Sequence, residues 1–317
     1  MSHIVLSGGG LKGLALIGFM KALQENNIKP TAISGASIGA IVGTMMSIGY
    51  RHDELYEFIE YFNYDDVCDF EISDFMEEGG IETGNKITRL LQAMIKNKLH
   101  KYCITFEEHY EKTNVWLIIN ASCLNTQTCT YFSYKTHPKM YIHEALRMTM
   151  SLPLWFKPVH YNNSLYVDGG LLDNFPIKPF IDANIPANEI IGVKLQQHNM
   201  DGSHRVIEHN TLSYISSLWS CIYNEINKKI MIQYSEKYNI FYIVDESISA
   251  FTPDLSLETK LQLYNKGYVK SVIEIKKYIE KEIKNILENI LNNFEENLST
   301  ITLKSVESTA IVDTFLA

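Results

Sequence analysis

A chain of 317 residues that is 46% hydrophobic and 21% charged can bury a sizeable core in one large domain, and it is too apolar to remain disordered. Its net charge of −9, with no basic stripe, excludes a nucleic-acid partner and argues against tight non-specific attachment to anionic lipid. The chain does not open with a charged segment followed by an apolar run, and no apolar span is long enough to cross a bilayer. The expected compartment is the cytoplasm, with peripheral contact at membranes left open. The five cysteines, Cys68, Cys103, Cys123, Cys129 and Cys221, are scattered and odd in number, which points to free thiols in a reducing compartment and to no metal site.

His3-Ile4-Val5-Leu6-Ser7 is rich in β-formers and predicts a first strand, and Leu14 to Leu23 carries apolar residues at helical spacing. Between them lies Gly8-Gly9-Gly10-Leu11-Lys12-Gly13. Glycines allow the backbone to approach a ligand closely, and the free N–H groups of the first helical turn then face any anion held there. Lys12 adds positive charge beside them. Gly8, Gly10 and Gly13 also have the spacing of a dinucleotide-binding fingerprint. That reading requires an Asp or Glu at the end of the second strand to hold a ribose hydroxyl. Thr31-Ala32-Ile33-Ser34 runs instead into Gly35-Ala36-Ser37, with no acid in that place. A glycine turn with no ligand is the remaining alternative.

Gly35-Ala36-Ser37-Ile38-Gly39 has the G-x-S-x-G pattern of a nucleophile elbow, in which small neighbours allow a strained strand-to-helix turn to expose a serine oxygen. The following run, Ala40 to Gly49, is apolar almost all round, as a buried central helix would be. From Asp53 to Asn97 the chain reads as helical and richer in acids, broken at Glu77-Glu78-Gly79-Gly80, and it is a candidate cap over the site. Asn114 to Ala121 and Thr128 to Ser133 read as strands, and so does Ile190 to Leu195. Alternating strands and helices of this kind predict a central, largely parallel sheet with helices on both faces.

A serine hydroxyl is a weak nucleophile until a neighbour takes its proton, so a base has to be found. His198, His204 and His209 lie downstream of Ser37, in the order that an α/β-hydrolase triad would need. An α/β-hydrolase elbow follows several strands, however, and here one strand precedes the strand that ends at Ser37. The histidines also fall in the polar stretch from Gln196 to His204 and just beyond it, which reads as a surface loop. A stronger candidate is Tyr166-Val167-Asp168-Gly169-Gly170, where a strand ends at Asp168 and Gly169 and Gly170 let the chain turn with the carboxylate near another loop. Taken alone, an Asp before two glycines is an ordinary turn.

Three segments in this order, Gly8 to Gly13, Gly35 to Gly39 and Asp168 to Gly170, resemble the patatin-like phospholipases. Ser151-Leu152-Pro153-Leu154-Trp155-Phe156-Lys157-Pro158-Val159 and Asp173-Asn174-Phe175-Pro176 are similar to further segments of that family. The resemblance covers residues 1 to about 195. It implies a three-layer α/β/α fold with a central, mostly parallel sheet, to which a C-terminal helical segment is added here. It also implies a Ser–Asp dyad without a catalytic histidine, Ser37 as nucleophile and Asp168 as base. Gly8, Gly9 and Gly10 would form the oxyanion hole, with Lys12 at the family's basic position and Gly13 closing the loop. Ile38 is larger than the residue many members carry after the nucleophile, which would narrow an acyl pocket.

The implied substrate is a glycerophospholipid or another acyl-ester lipid, cleaved without metal or other cofactor. An acyltransferase, or a non-catalytic lipid-binding protein on the same fold, would carry the same motifs. The expected organisation is a catalytic core over residues 1–195, a connecting loop, helix and strand over 196–254, and a helical region with a tail over 255–317. Leu257 to about Asn297 carries Ile275, Ile279, Ile283, Ile286, Ile290 and Phe294 on one stripe. That stripe would pack on the core or dock on a membrane or an unidentified activator protein.

Overall fold

The apolar run Ile4, Val5 and Leu6 is sealed from solvent, as a central strand of a parallel sheet requires. The computed structural model describes residues 2–61, 66, 68–69, 78–196, 211–244 and 255–315. Strand β1 (Ser2–Leu6) is followed by a 3-10 turn at Gly10–Gly13 and by helix α1 (Leu14–Glu25). Strand β2 (Pro30–Gly35) leads almost directly into α2 (Ile38–Ser47), and α3 (His52–Tyr61), β3 (Gly80–Glu82), α4 (Asn85–Leu99) and α5 (Phe106–Thr113) come next. Strands β4 (Trp116–Cys123) and β5 (Thr128–Phe132) form a hairpin, and α6 (Ile142–Thr149) precedes β6 (Leu154–Phe156), β7 (Val159–Tyr161) and β8 (Ser164–Asp168). Then follow α7 (Lys178–Asp182), β9 (Ile190–Gln196), α8 (Thr211–Tyr234), β10 (Asn239–Val244) and α9 (Leu257–Phe315).

The main sheet is eight-stranded in the order β10-β9-β1-β2-β4-β8-β7, with β5 also paired to β4. From β10 to β4 every pair is parallel. Strands β5, β8 and β7 are antiparallel additions beside β4. The antiparallel sense of β8 positions the site. Gly35, at the carboxyl end of β2, is level with Ile119 of β4, and Asp168, the last residue of β8, is level with Ala121. Strand β4 overhangs the end of β2, and β8 runs back along that overhang, so its final residue, Asp168, stops close to the carboxyl end of β2, just before Ser37.

In the 53–97 region, the expected break in the helices at Glu77-Glu78-Gly79-Gly80 is followed by a strand that was not expected. Gly80–Glu82 forms a short strand between α3 and α4 and pairs with β6, Gly80 opposite Leu154 and Glu82 opposite Phe156. Three residues carry no periodicity that a sequence could display. Within Met1–Val272, one of two compact units of the chain, the start of α9 crosses α1 at two glycines. A Cβ on Gly18 would lie 2.1 Å from the Tyr264 carbonyl oxygen, and one on Gly267 2.0 Å from that of Ala15. The two backbones therefore touch, and no side chain fits between them.

The second unit, Ile273–Ala317, is the remainder of α9. The helix extends beyond the expected end near Asn297, where Thr, Ser, Val and Ile become frequent and helix propensity falls. Of the expected stripe, Ile275 is buried, while Ile283, Ile286 and Ile290 are exposed; the Phe294 side chain lies outside the described residues. Among the described residues, no helix is long and apolar enough to cross a membrane.

Candidate active site

Ser37 stands between β2 and α2 with φ 50 and ψ −125, a left-handed backbone that side chains other than glycine rarely adopt. Its surroundings enforce that geometry. A Cβ on Gly39 would meet the carbonyl oxygens of Leu6 and Ser7 at 2.5 and 2.6 Å, so the first turn of α2 rests directly on the end of β1. Gly39 and Ala40 donate N–H bonds to Ala36 O and Ser37 O at 2.8 and 2.9 Å, which close the turn. Ser37's own N–H donates to Thr149 Oγ1 at 2.8 Å, so it is held by the end of α6.

The Ser37 side chain acts on the carboxylate of Asp168 and favours its ionised form. That carboxylate is 5% exposed and also accepts the Gly170 N–H on Oδ1 at 2.7 Å. Burial pushes the Asp168 pKa up to about 7, against the opposing pull of Ser37 and of the Gly170 N–H. Its backbone is held on both sides: Asp168 N–H donates to Ser151 O at 2.8 Å, and Ser122 Oγ donates to Asp168 O at 2.9 Å. Residues 149 to 151 thus grip nucleophile and base together. Arg147 braces that segment by donating to Ser151 Oγ and to the carbonyls of Thr83 and Lys157.

The glycine loop lies against the serine, since a Cβ on Gly8 would be 3.1 Å from Ser37 Cβ. One expected role changes here. Gly8 N–H donates to Asn174 O at 3.3 Å, and Asn174 Nδ2 donates back to Gly8 O at 3.4 Å, so Gly8 anchors the loop and has no N–H left for an oxyanion. The N–H groups of Gly9 and Gly10 donate to no acceptor among the described residues. Lys12 lies buried in the 3-10 turn, and Gly13 packs on Ile38, whose Cγ1 would be 2.0 Å from a Cβ there. Gly169 and Gly170 make the turn after Asp168, and Asn120 Nδ2 holds it through Asp173 O at 2.7 Å. All of these residues fall in one stretch of sequence that a known family describes, because the profile of the patatin-like phospholipases matches residues 4–181.

The chain belongs to the patatin-like phospholipase family. A protein of Acanthamoeba polyphaga mimivirus is 33% identical over 86% of this chain and 92% of its own length. A probable lipid hydrolase of Invertebrate iridescent virus 6 is 29% identical over 86% of this chain and 88% of its own. Among solved structures, VipD from Legionella pneumophila superposes with a TM-score of 0.65 over 87% of this chain and 67% of VipD, at 15% identity, a likeness of fold.

Within this patatin-like site, no described histidine acts on Asp168, and His198, His204 and His209 lie outside the described residues. The structure does hold a Ser–His pair, Ser47 Oγ to His109 Nε2 at 2.8 Å. Both side chains are buried, burial takes His109 down to about 4, and Ser47 sits about 15 Å along α2 from Ser37. That pair is core packing with no room for a substrate. Sequence reasoning missed the parts played by Thr149, Asn174 and Arg147. Of these, Asn174 had a signal in the Asn-Phe-Pro that follows Asp168-Gly169-Gly170.

Proposed function

We propose that this patatin-like protein is a phospholipase A-type acyl hydrolase, which cleaves fatty-acyl esters of glycerophospholipids through Ser37 and Asp168. The observation that carries the reading is the Ser37 side chain, on a strained elbow, acting on a buried carboxylate whose pKa is pushed up to about 7. A base is most effective when its pKa is close to the working pH, and burial brings Asp168 there. The probable lipid hydrolase among the relatives supports the same chemistry.

In the first step Asp168 takes the Ser37 proton while Oγ attacks the ester carbonyl, and the oxygen that gains charge is met by the N–H groups of Gly9 and Gly10 and by the positive end of α2. The tetrahedral intermediate then expels the glycerol oxygen. Protonated Asp168 returns its proton to that leaving alcohol, which leaves an acyl-serine. Water, deprotonated by Asp168, attacks the acyl-serine, and the proton passes back to Ser37 Oγ as the fatty acid departs. Each preorganised donor of this kind is worth on the order of 3 kcal/mol, a hundredfold or more in rate.

The test is fatty-acid release from mixed phospholipid vesicles in EDTA, comparing the natural chain with Ser37→Ala and Asp168→Asn, alongside fluorophosphonate labelling. Release by the natural chain, labelling at Ser37, and loss of release in both folded variants is the expected result. A natural chain that neither releases fatty acid nor takes the label would overturn the hydrolase reading in favour of lipid binding without chemistry. Transfer of a labelled acyl chain to an added lysophospholipid instead of to water would make the protein an acyltransferase.

A further inference from the structure

An apolar cavity begins where the proposed chemistry ends. Gly10 and Gly13 of the glycine loop and Ile38 of the elbow line one part of it, and about 900 Å³ of atom-free space, part of it open to solvent, continues between the helices. Two helices line it with the same spacing. Helix α2 contributes Ile38, Ile41, Val42 and Met45, and α4 contributes Ile87, Leu90, Leu91 and Met94. Both sets fall at positions i, i+3, i+4 and i+7, the stripe that one helix face presents over two turns. Helix α3 adds Leu55 and Phe58. The two stripes do not close completely on one another, and the space left between them is lined by these apolar side chains.

We infer that this cavity is the acyl-chain site, and that its α2 wall from Ile38 to Met45 grips the first eight or so carbons of the chain bound at Ser37. The inference rests on Ser37 being the residue that is acylated. Ser37 immediately precedes Ile38, so a carbonyl at Ser37 Oγ stands at the head of the α2 wall. Seven residues of helix from Ile38 to Met45 advance about 10 Å. An extended hydrocarbon advances about 1.25 Å per carbon from its bond length and angle, which gives roughly eight carbons of walled path. Carbons beyond that leave the α2 wall and gain no further contact with it. Each methylene buried along the wall is worth about a four-fold gain in kcat/KM. The narrowing expected at Ile38 falls in the right place, because Ile38 lines the entrance to the cavity.

The test is a series of p-nitrophenyl esters from acetate to palmitate with the natural chain, Met45→Trp, Leu90→Trp and Ser37→Ala. Leu90 is half-buried and sits on a different helix, so it serves if the fully buried Met45 position does not tolerate the larger ring. The expected profile climbs about four-fold per methylene to roughly eight carbons and then flattens, with the break moving to shorter chains in the folded tryptophan variants. A flat profile, or one that both folded tryptophan variants leave unchanged, overturns the assignment while the hydrolase reading stands. Calorimetric titration of decanoate into Ser37→Ala separates the two ideas. If Ser37→Ala still hydrolyses the esters, the catalytic reading fails, and the cavity is then decided by decanoate binding that Leu90→Trp abolishes or leaves intact.

Discussion

Asp168 is neutral or charged at a pH that matters, and the direction of its shift fixes two outcomes of opposite sign. As the base it must be ionised, so kcat/KM should rise about tenfold per pH unit up to a pKa near 7 and then level off, as measured on a water-soluble ester from pH 5 to 9. For stability the sign reverses. The folded pKa, about 7, lies above the ordinary 3.8, so the folded state holds this proton more tightly. The resulting stability is present below pH 3.8 and is lost as pH rises through 7. Asp168→Asn keeps the acceptor for Gly170 N–H and removes the buried charge. The variant should therefore gain a few kcal/mol over the natural chain at pH 8, with the gap closing toward pH 4, as read from urea midpoints. A gap independent of pH would contradict the buried-charge account. Thr149 is the second decisive residue. Thr149→Val leaves the Ser37 N–H without its acceptor, which costs about 1–3 kcal/mol and frees the elbow. A drop in kcat of tenfold or more with KM little changed, restored by Thr149→Ser, is the expected result; equal losses in both variants would make the contact purely structural.

At the scale of elements, what the sequence shows depends on how local the signal is. Strands β1, β2, β4 and β9 were readable within one or two residues of their ends, because each carries a short apolar stretch close to turn residues. The elbow and the Asp-Gly-Gly turn were equally readable, since glycine at a tight junction is a local necessity. The grip of Thr149 on Ser37 and of Asn174 on Gly8 joins residues 112 and 166 positions apart, and no pattern within either segment announces it. Gly8 illustrates the limit well. The family resemblance made it a donor, and only the contact with Asn174 shows that its N–H is already used. The crossing of α1 and α9 was hidden for the same reason: Gly18 and Gly267 interrupt otherwise ordinary helical patterns and make sense only face to face. Gly267→Leu should force the helices apart and cost about 1–3 kcal/mol or more of overpacking, seen as a lower Tm, with kcat per folded molecule on an acetate ester unchanged because Ser37 and Asp168 lie away from the crossing. An unchanged Tm would show that the crossing is loosely packed.

Over the whole molecule, every residue given a part in the chemistry or in the acyl cavity falls within residues 8–260, inside the first compact unit. The proposed reaction should therefore not require the distal part of α9. A chain ending at Asn285 is expected to hydrolyse a short, water-soluble ester with kcat/KM within about two-fold of the natural value, whereas a larger fall would mean that the positioning of Ser37 and Asp168 depends on that segment. The truncation also removes Ile286, Leu287, Ile290 and Leu291, each more than half exposed, from a helix whose charges alternate in sign, with Lys284 and Glu288 paired at 3.7 Å. Binding to an anionic bilayer draws on an excess of positive charge beside the apolar face, and this face has none. Whatever co-sedimentation with anionic vesicles the natural chain shows should accordingly survive the truncation. If it is lost while activity on the soluble ester remains, the apolar stripe is the lipid contact after all, and interfacial attachment and chemistry reside in separate units of the chain.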